Sequence, residues 1–321
     1  MGSNYEDFIH ISRYARYIED ENRRETYDDT VNRWWNYMTG KFPSLAKHKD
    51  VKQAILDKEV MPSMRTMMAA GDALERNHIA AYNCSYIAVD DPKAFDETLM
   101  ILMCGTGVGY SVERDFVDRM PEVPENITRT SEIVITVADS KEGWARGLRQ
   151  LVLGLYAGEH PTWDLSRIRP SGSRLKTFGG RASGPEPLDN LFRFVTSTFY
   201  KAQGRKLSSL ECHDLMCAVA AAVVVGGVRR SAMISLSNLS DDRMRHAKMG
   251  SWFNDNVNRS YANNSIAFSS KPDMGTFLRE WTAIYESKSG ERGLFNRVAA
   301  INKAKEIDRD TSHVFGTNPC G

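Results

Sequence analysis

The residues with the clearest capacity for chemistry stand at the end of the chain, in Gly316-Thr317-Asn318-Pro319-Cys320-Gly321. Cys320 follows Asn318 by two residues and sits between a proline and a glycine. Proline fixes its own φ, and glycine lets a backbone turn or approach a ligand closely. Two readings stand at this point: a reactive thiol on a constrained turn, or a frayed tail with an incidental thiol. The other cysteines are Cys84, Cys104, Cys212 and Cys217. No C-x-x-C pair occurs among them, which argues against a zinc ribbon or a thioredoxin-type motif. Cys212 and Cys217 flank His213 on an expected helix. That is too few ligands for a metal, and they read as core thiols. Scattered thiols fit the reducing cytoplasm, where a functional disulfide is transient.

Glycine and arginine mark a second kind of chemistry. The long loop Asp164–Pro185 carries Arg167, Arg169, Arg174, Lys176 and Arg181 among hydroxyls and glycines. Arginine forks match phosphate, so the loop reads as anion-binding in preference to a solvated charged loop. A second such loop runs over Gly226-Gly227-Val228-Arg229-Arg230-Ser231-Ala232-Met233. The alternating glycines of Gly105-Thr106-Gly107-Val108-Gly109 follow a helix and lead into a strand, the reverse of the dinucleotide-binding order. They read as a place where a different ligand approaches the backbone. Ser63 and Thr66, after Pro62, suit phosphate or hydroxyl contacts and helix capping equally.

These groups need elements to hold them. Residues from about Asn4 to Asp57 read as a helical region with recurring aromatics, Trp34-Trp35 among them, packing one face on a core. Tyr82–Val89 reads as a buried strand ending at Asp90-Asp91-Pro92. Helices are expected from about Lys93 to Met103, Glu142 to Ala157, Leu188 to Gln203, Ser208 to Val225 and Met274 to Ser287. Asn263–Phe268 and Gly293–Asn296 read as strands. The chain has 321 residues, 41% hydrophobic and 26% charged, with a formal net charge of +1. That balance gives no electrostatic case for a nucleic-acid or membrane partner. The apolar run Ala218 to Val225 is too short to span a bilayer.

Taken in order, N-C-S-Y, G-T-G-V-G-Y-S, I-R-P-S-G, G-G-R-A-S-G-P, G-G-V-R-R-S-A, N-N-S-I-A and T-N-P-C-G make the sequence resemble the catalytic chain of ribonucleotide reductase. It is most similar to the monomeric adenosylcobalamin-dependent class II enzymes and their small phage relatives. The resemblance implies an α/β fold: a ten-stranded α/β barrel, incomplete in this chain, with a helical N-terminal cap over 1–57. The barrel portion is 58–321, with an insertion at about 113–166 that would complete the effector site within one chain. A finger loop through the barrel centre would carry the radical cysteine.

The resemblance also implies roles. Cys320 would become a thiyl radical and abstract the ribose 3′-hydrogen. Asn318 would hydrogen-bond the substrate hydroxyls, and Cys84 would supply reducing equivalents. Thr66, Asn83, Thr106 and Gly107 fall where the family binds substrate. Asp91, Arg169 and Arg229 fall where it binds a dNTP effector. Adenosylcobalamin is the implied cofactor, with a metal-containing radical subunit as the other source. The implied partners are ribonucleotide substrate, a thioredoxin- or glutaredoxin-like dithiol reductant, and a downstream remainder. The family's next glutamate, second redox cysteine and substrate-phosphate loop would lie beyond Gly321, so the chain alone is expected not to turn over. The alternative is a non-catalytic nucleotide-binding regulatory fragment.

Overall fold

The computed structural model describes residues 4–128, 132–173, 181–223, 232–313 and 316–320. The chain divides into two compact units, Met1–Asn83 and Cys84–Gly321.

The first unit runs α1 (Asn4–Arg13), β1 (Tyr17–Ile18), β2 (Arg23–Arg24), α2 (Tyr27–Lys41), α3 (Lys49–Leu56), α4 (Met64–Ala69) and α5 (Asp72–Arg76). The expected all-helical stretch to Asp57 is thus interrupted by an antiparallel β1–β2 hairpin. Strands of two residues are too short to show a period. Thr26 starts α2 through a capping box with Asp29. This arrangement satisfies helix-end donors that would otherwise lack partners. Val31, Trp34, Trp35, Ile55 and Met67 form the core, so the tryptophan pair is buried packing. Arg33 ties the unit together: it pairs with buried Glu25 at 2.6 Å and donates to the carbonyls of Met67 and Ala70.

The second unit contains β3 (Cys84–Ala88), α6 (Lys93–Met103), β4 (Gly107–Ser111), α7 (Arg114–Val117), β5 (Val134–Thr136), α8 (Lys141–Tyr156), β6 (Thr162–Asp164), α9 (Glu186–Lys201) and α10 (Ser209–Val223). It continues with β7 (Met233–Ser237), α11 (Asp242–Arg245), α12 (Trp252–Asp255), β8 (Ala262–Phe268), α13 (Met274–Ser287), β9 (Gly293–Asn296) and α14 (Arg297–Glu306). Five of these strands form one sheet in the order β3-β4-β7-β8-β9, and every pairing is parallel. Parallel neighbours need crossover connections. A sheet that always steps in one direction, with crossovers of one hand, carries its helices on one face.

That helix-covered face holds the core. Val108, Tyr110 and Met233 from the strands meet Phe95, Leu99 and Leu102 of α6 and Leu215, Met216 and Val219 of α10. Helix α10 is buried on nearly every side over its second half, matching the apolar run at 215–223. Each such side chain, fully buried, contributes roughly 1.5–3 kcal/mol. At the far edge, Glu280 of α13 takes Arg292 at 2.7 Å, with both nearly inaccessible, and Arg292 also donates to Asn238 O. Helices α8 and α13 begin at side-chain caps, Ser140 on Gly143 N–H and Asp273 on Thr276 N–H.

Candidate active site

The site lies on the other face of the sheet. Register pairs Cys84 with Gly107 and Tyr86 with Gly109 across β3 and β4. Side chains alternate along a strand, so these four positions share one face, and Ser85, Val108 and Tyr110 point to the opposite one. Strand β3, expected to be buried, is half-buried along its length.

The C-terminal tail crosses this face against the strand direction. Gly316 packs on the Tyr86 ring, and a Cβ there would overlap the ring atoms. Gly109 meets the tail at Thr317: a Cβ on Gly109 would overlap the Thr317 carbonyl and stand 2.9 Å from Asn318 Cα. Pro319 then reaches Gly107, whose built Cβ would be 3.3 Å from Pro319 Cγ and 3.4 Å from Cys84 Sγ. The approach anticipated at the alternating glycines is therefore made by the chain's own tail. Glycine is required at 109 because no side chain fits between strand and tail.

At the end of this path the sulfurs of Cys84 and Cys320 face each other at 2.6 Å, neither of them in a disulfide. Cys320 is exposed and Cys84 half-buried. The Cys320 N–H donates to Asn318 Oδ1 at 3.0 Å. This closes a turn in which an asparagine side chain stands in for a backbone acceptor. With that oxygen engaged, the Asn318 amide nitrogen is the atom left to donate to a ligand. Thr106, just before Gly107, is fully buried.

The remaining expected residues are distributed differently. Asp91 is exposed and accepts from Lys93 N–H at 2.8 Å, at the start of α6. Arg169 donates to Asp139 at 2.7 Å, so its guanidinium already has a carboxylate partner. Thr66 and Asn83 belong to the first unit: the Thr66 hydroxyl donates to Ser63 O at 2.8 Å, and Asn83 is exposed. Arg229 lies outside the described residues. Among the described residues no group of three His, Cys, Asp or Glu side chains could hold a metal ion. Nor is any described helix long and apolar enough to cross a membrane.

One residue of the site was not anticipated, Tyr86, and the glycine alternation did not show that what approaches Gly109 is the tail. Both contacts are to a segment about two hundred residues away, which local pattern does not reveal.

Residues 110–199 match a family model described as the insertion domain of B12-dependent ribonucleotide reductase. The chain is 26% identical over 388 residues to the adenosylcobalamin-dependent ribonucleoside-triphosphate reductase of Lacticaseibacillus paracasei, covering 96% of this chain and 51% of that protein. Its similarity to the enzyme of the same name from Lactobacillus leichmannii is 25% over 390 residues, with the same coverage. A solved B12-dependent (class II) ribonucleotide reductase superposes with a TM-score of 0.81 at 23% identity, over 98% of this chain and 53% of that chain. The fold is therefore that of the class II reductase. The chain spans about half the length of the curated relatives it matches.

Proposed function

We propose that this chain, which resembles the catalytic chain of the adenosylcobalamin-dependent ribonucleotide reductases, carries the radical half of ribonucleotide reduction. The observation that supports this most is the meeting of Cys84 and Cys320 on one face of the β3–β4 pair. Replacing a 2′-hydroxyl by hydrogen, with loss of water, needs a hydrogen-abstracting radical, two protons and two electrons. Cys320 takes the first role: as a thiyl radical it removes the 3′-hydrogen and later returns it. Cys84 takes part in the second as one of two thiols, which together give up two electrons and two protons and end as a disulfide. Asn318 donates to a ribose hydroxyl through its amide nitrogen, its oxygen being held by Cys320 N–H. Thr106, Gly107, Thr66 and Asn83 are assigned to substrate binding on the resemblance alone.

Adenosylcobalamin, when bound, supplies the one-electron chemistry that side chains do not. The described residues fit a cofactor acting on a thiol, because Cys320 is exposed and reachable. Cys320 is the residue it would meet. A dNTP effector is assigned to Asp91, Arg169 and Arg229, with Arg169 exchanging Asp139 for phosphate. The division into a helical region over 1–57 and a barrel portion over 58–321, and an effector site completed by the insertion at 113–166, belong to the same reading. So does regeneration of the thiols by a thioredoxin- or glutaredoxin-like protein.

The test is ribonucleotide reduction by this chain expressed with the segment corresponding to the other half of its relatives. A dithiol reductant and dNTPs are supplied, with and without adenosylcobalamin. Deoxyribonucleotide formed only with adenosylcobalamin, and lost in Cys320→Ala while dNTP binding persists, is the expected result. Binding of dNTPs without reduction under any of these conditions would instead support a non-catalytic nucleotide-binding chain.

A further inference from the structure

We propose that Tyr86 is a positioning residue for Cys320: its ring is the floor that sets where the tail crosses the sheet. The inference deepens the proposed function and rests on it for its kinetic arm. Tyr86 stands two residues after Cys84 on the same strand face, so one strand carries both a redox thiol and the support for the other. Gly316 lies directly on the ring, at the point where the tail first reaches the described part of the site. From there to Cys320 the path is set by the Thr317 contact at Gly109 and the Pro319 contact at Gly107.

The far end of the ring is enclosed. Its hydroxyl is buried beside Ser111 and Arg297 without a hydrogen bond of good geometry. Burial pushes the phenol up to about 12, so the hydroxyl stays neutral. Around it, buried Glu113 accepts from Ser111 Oγ at 2.7 Å and from Arg297 Nη1 at 2.9 Å. Arg297 is also the first residue of α14, the helix that precedes the tail. The same ion pair thus frames the Tyr86 ring and anchors the element from which the tail departs. A core aromatic with no such role would tolerate replacement by any residue that keeps the sheet folded. A floor depends on the flat ring and not on the hydroxyl.

Three variants separate these cases: Tyr86→Phe, Tyr86→Leu and Tyr86→Ala, with folding checked by circular dichroism. The first readout needs no turnover. Diamide takes two electrons and two protons from a pair of thiols, leaving as the hydrazine while an Sγ–Sγ bond forms. The rate of Cys84–Cys320 disulfide formation, mapped by mass spectrometry, reports how well the tail presents Cys320. Tyr86→Phe is expected to match the parent, and the Leu and Ala variants to be slower by about tenfold. In the completed reductase, kcat falls by about 10²-fold in the Leu and Ala variants with KM changed less than about twofold, and Phe restores it. Folded Leu and Ala variants with the parent's disulfide rate would overturn the proposal. A parent that forms the disulfide rapidly but never reduces nucleotide would contradict the proposed function, and the disulfide rates would still decide the role of Tyr86.

Discussion

Strand β4 has two faces that treat the same chemistry in opposite ways. On one, Gly107 and Gly109 present bare backbone to the tail, which brings exposed Cys320 to half-buried Cys84. On the other, Tyr110 is fully buried and its hydroxyl meets His213 Nδ1 at 2.7 Å, while Cys217 Sγ lies 3.6 Å from His213 Nε2. Burial pushes Cys217 up to about 12 and Cys212 higher still, and lowers His213 to about 3. A tyrosine, a histidine and a thiol at one place look like a catalytic cluster by composition. Desolvation keeps all of them neutral and inert. What separates the two facing thiols from the core thiols is which side of the sheet they meet.

The comparison is tested most broadly by alkylation of the native chain. Thiolate is the reacting form, and a thiol at about 12 carries about 10³-fold less of it than an ordinary one. Iodoacetamide at mild alkaline pH is therefore expected to modify exposed Cys320 much faster than buried Cys217 or Cys212. Comparable rates, measured by peptide mapping, would erase the distinction between the faces. Gly109→Ala tests the open face. Its methyl group would occupy the space of the Thr317 carbonyl, so the tail must lift. Turnover of the completed enzyme should fall by about 10²-fold, with dNTP binding retained.

The closed face is tested by Tyr110→Phe, which leaves His213 Nδ1 without its buried partner. A loss of about 1–3 kcal/mol in denaturant unfolding is expected, with unchanged turnover of the folded fraction. A further test of the closed face is the pH dependence carried by His213. Its folded pKa lies below its unfolded value, so on acidification the unfolded chain takes up the proton first. Its contribution to stability is complete above about 6.5 and is lost as pH falls from there toward about 3. Between about pH 6.5 and 4.5, before most carboxylates titrate, the slope is up to about 1.4 kcal/mol per pH unit. The difference between the parent and His213→Gln in unfolding free energy over that window isolates it.

Much of the scaffold was legible because it is locally encoded. The apolar period and the Asp273 cap place α13 at Met274–Ser287, as expected. The helix expected over Glu142–Ala157 is α8, Lys141–Tyr156. The alternation before Asp90 locates β3. Elements with weak local signals were missed. Strand β7 has only five residues and follows the glycine-arginine loop, and α14 buries only Ala304, so its apolar period is faint. In the site, Cys84, Asn318 and Cys320 were named from motif order. Tyr86 was not, nor was the tail foreseen as what Gly109 meets, because both contacts join sequence-distant segments. The buried Tyr110–His213 pair is likewise a product of packing β4 against α10, and only the core assignment of Cys212 and Cys217 was reachable from sequence.

The most direct measurement is a single turnover of the completed, pre-reduced enzyme with adenosylcobalamin and no external dithiol. Two thiols supply two electrons, so about one deoxyribonucleotide should form per chain, and thiol mapping should follow. The expected map has Cys84 oxidised to a disulfide, Cys320 recovered as a free thiol, and Cys104, Cys212 and Cys217 unchanged. Product formed with Cys84 still a free thiol, or with Cys320 consumed, would contradict the roles given to the two facing sulfurs.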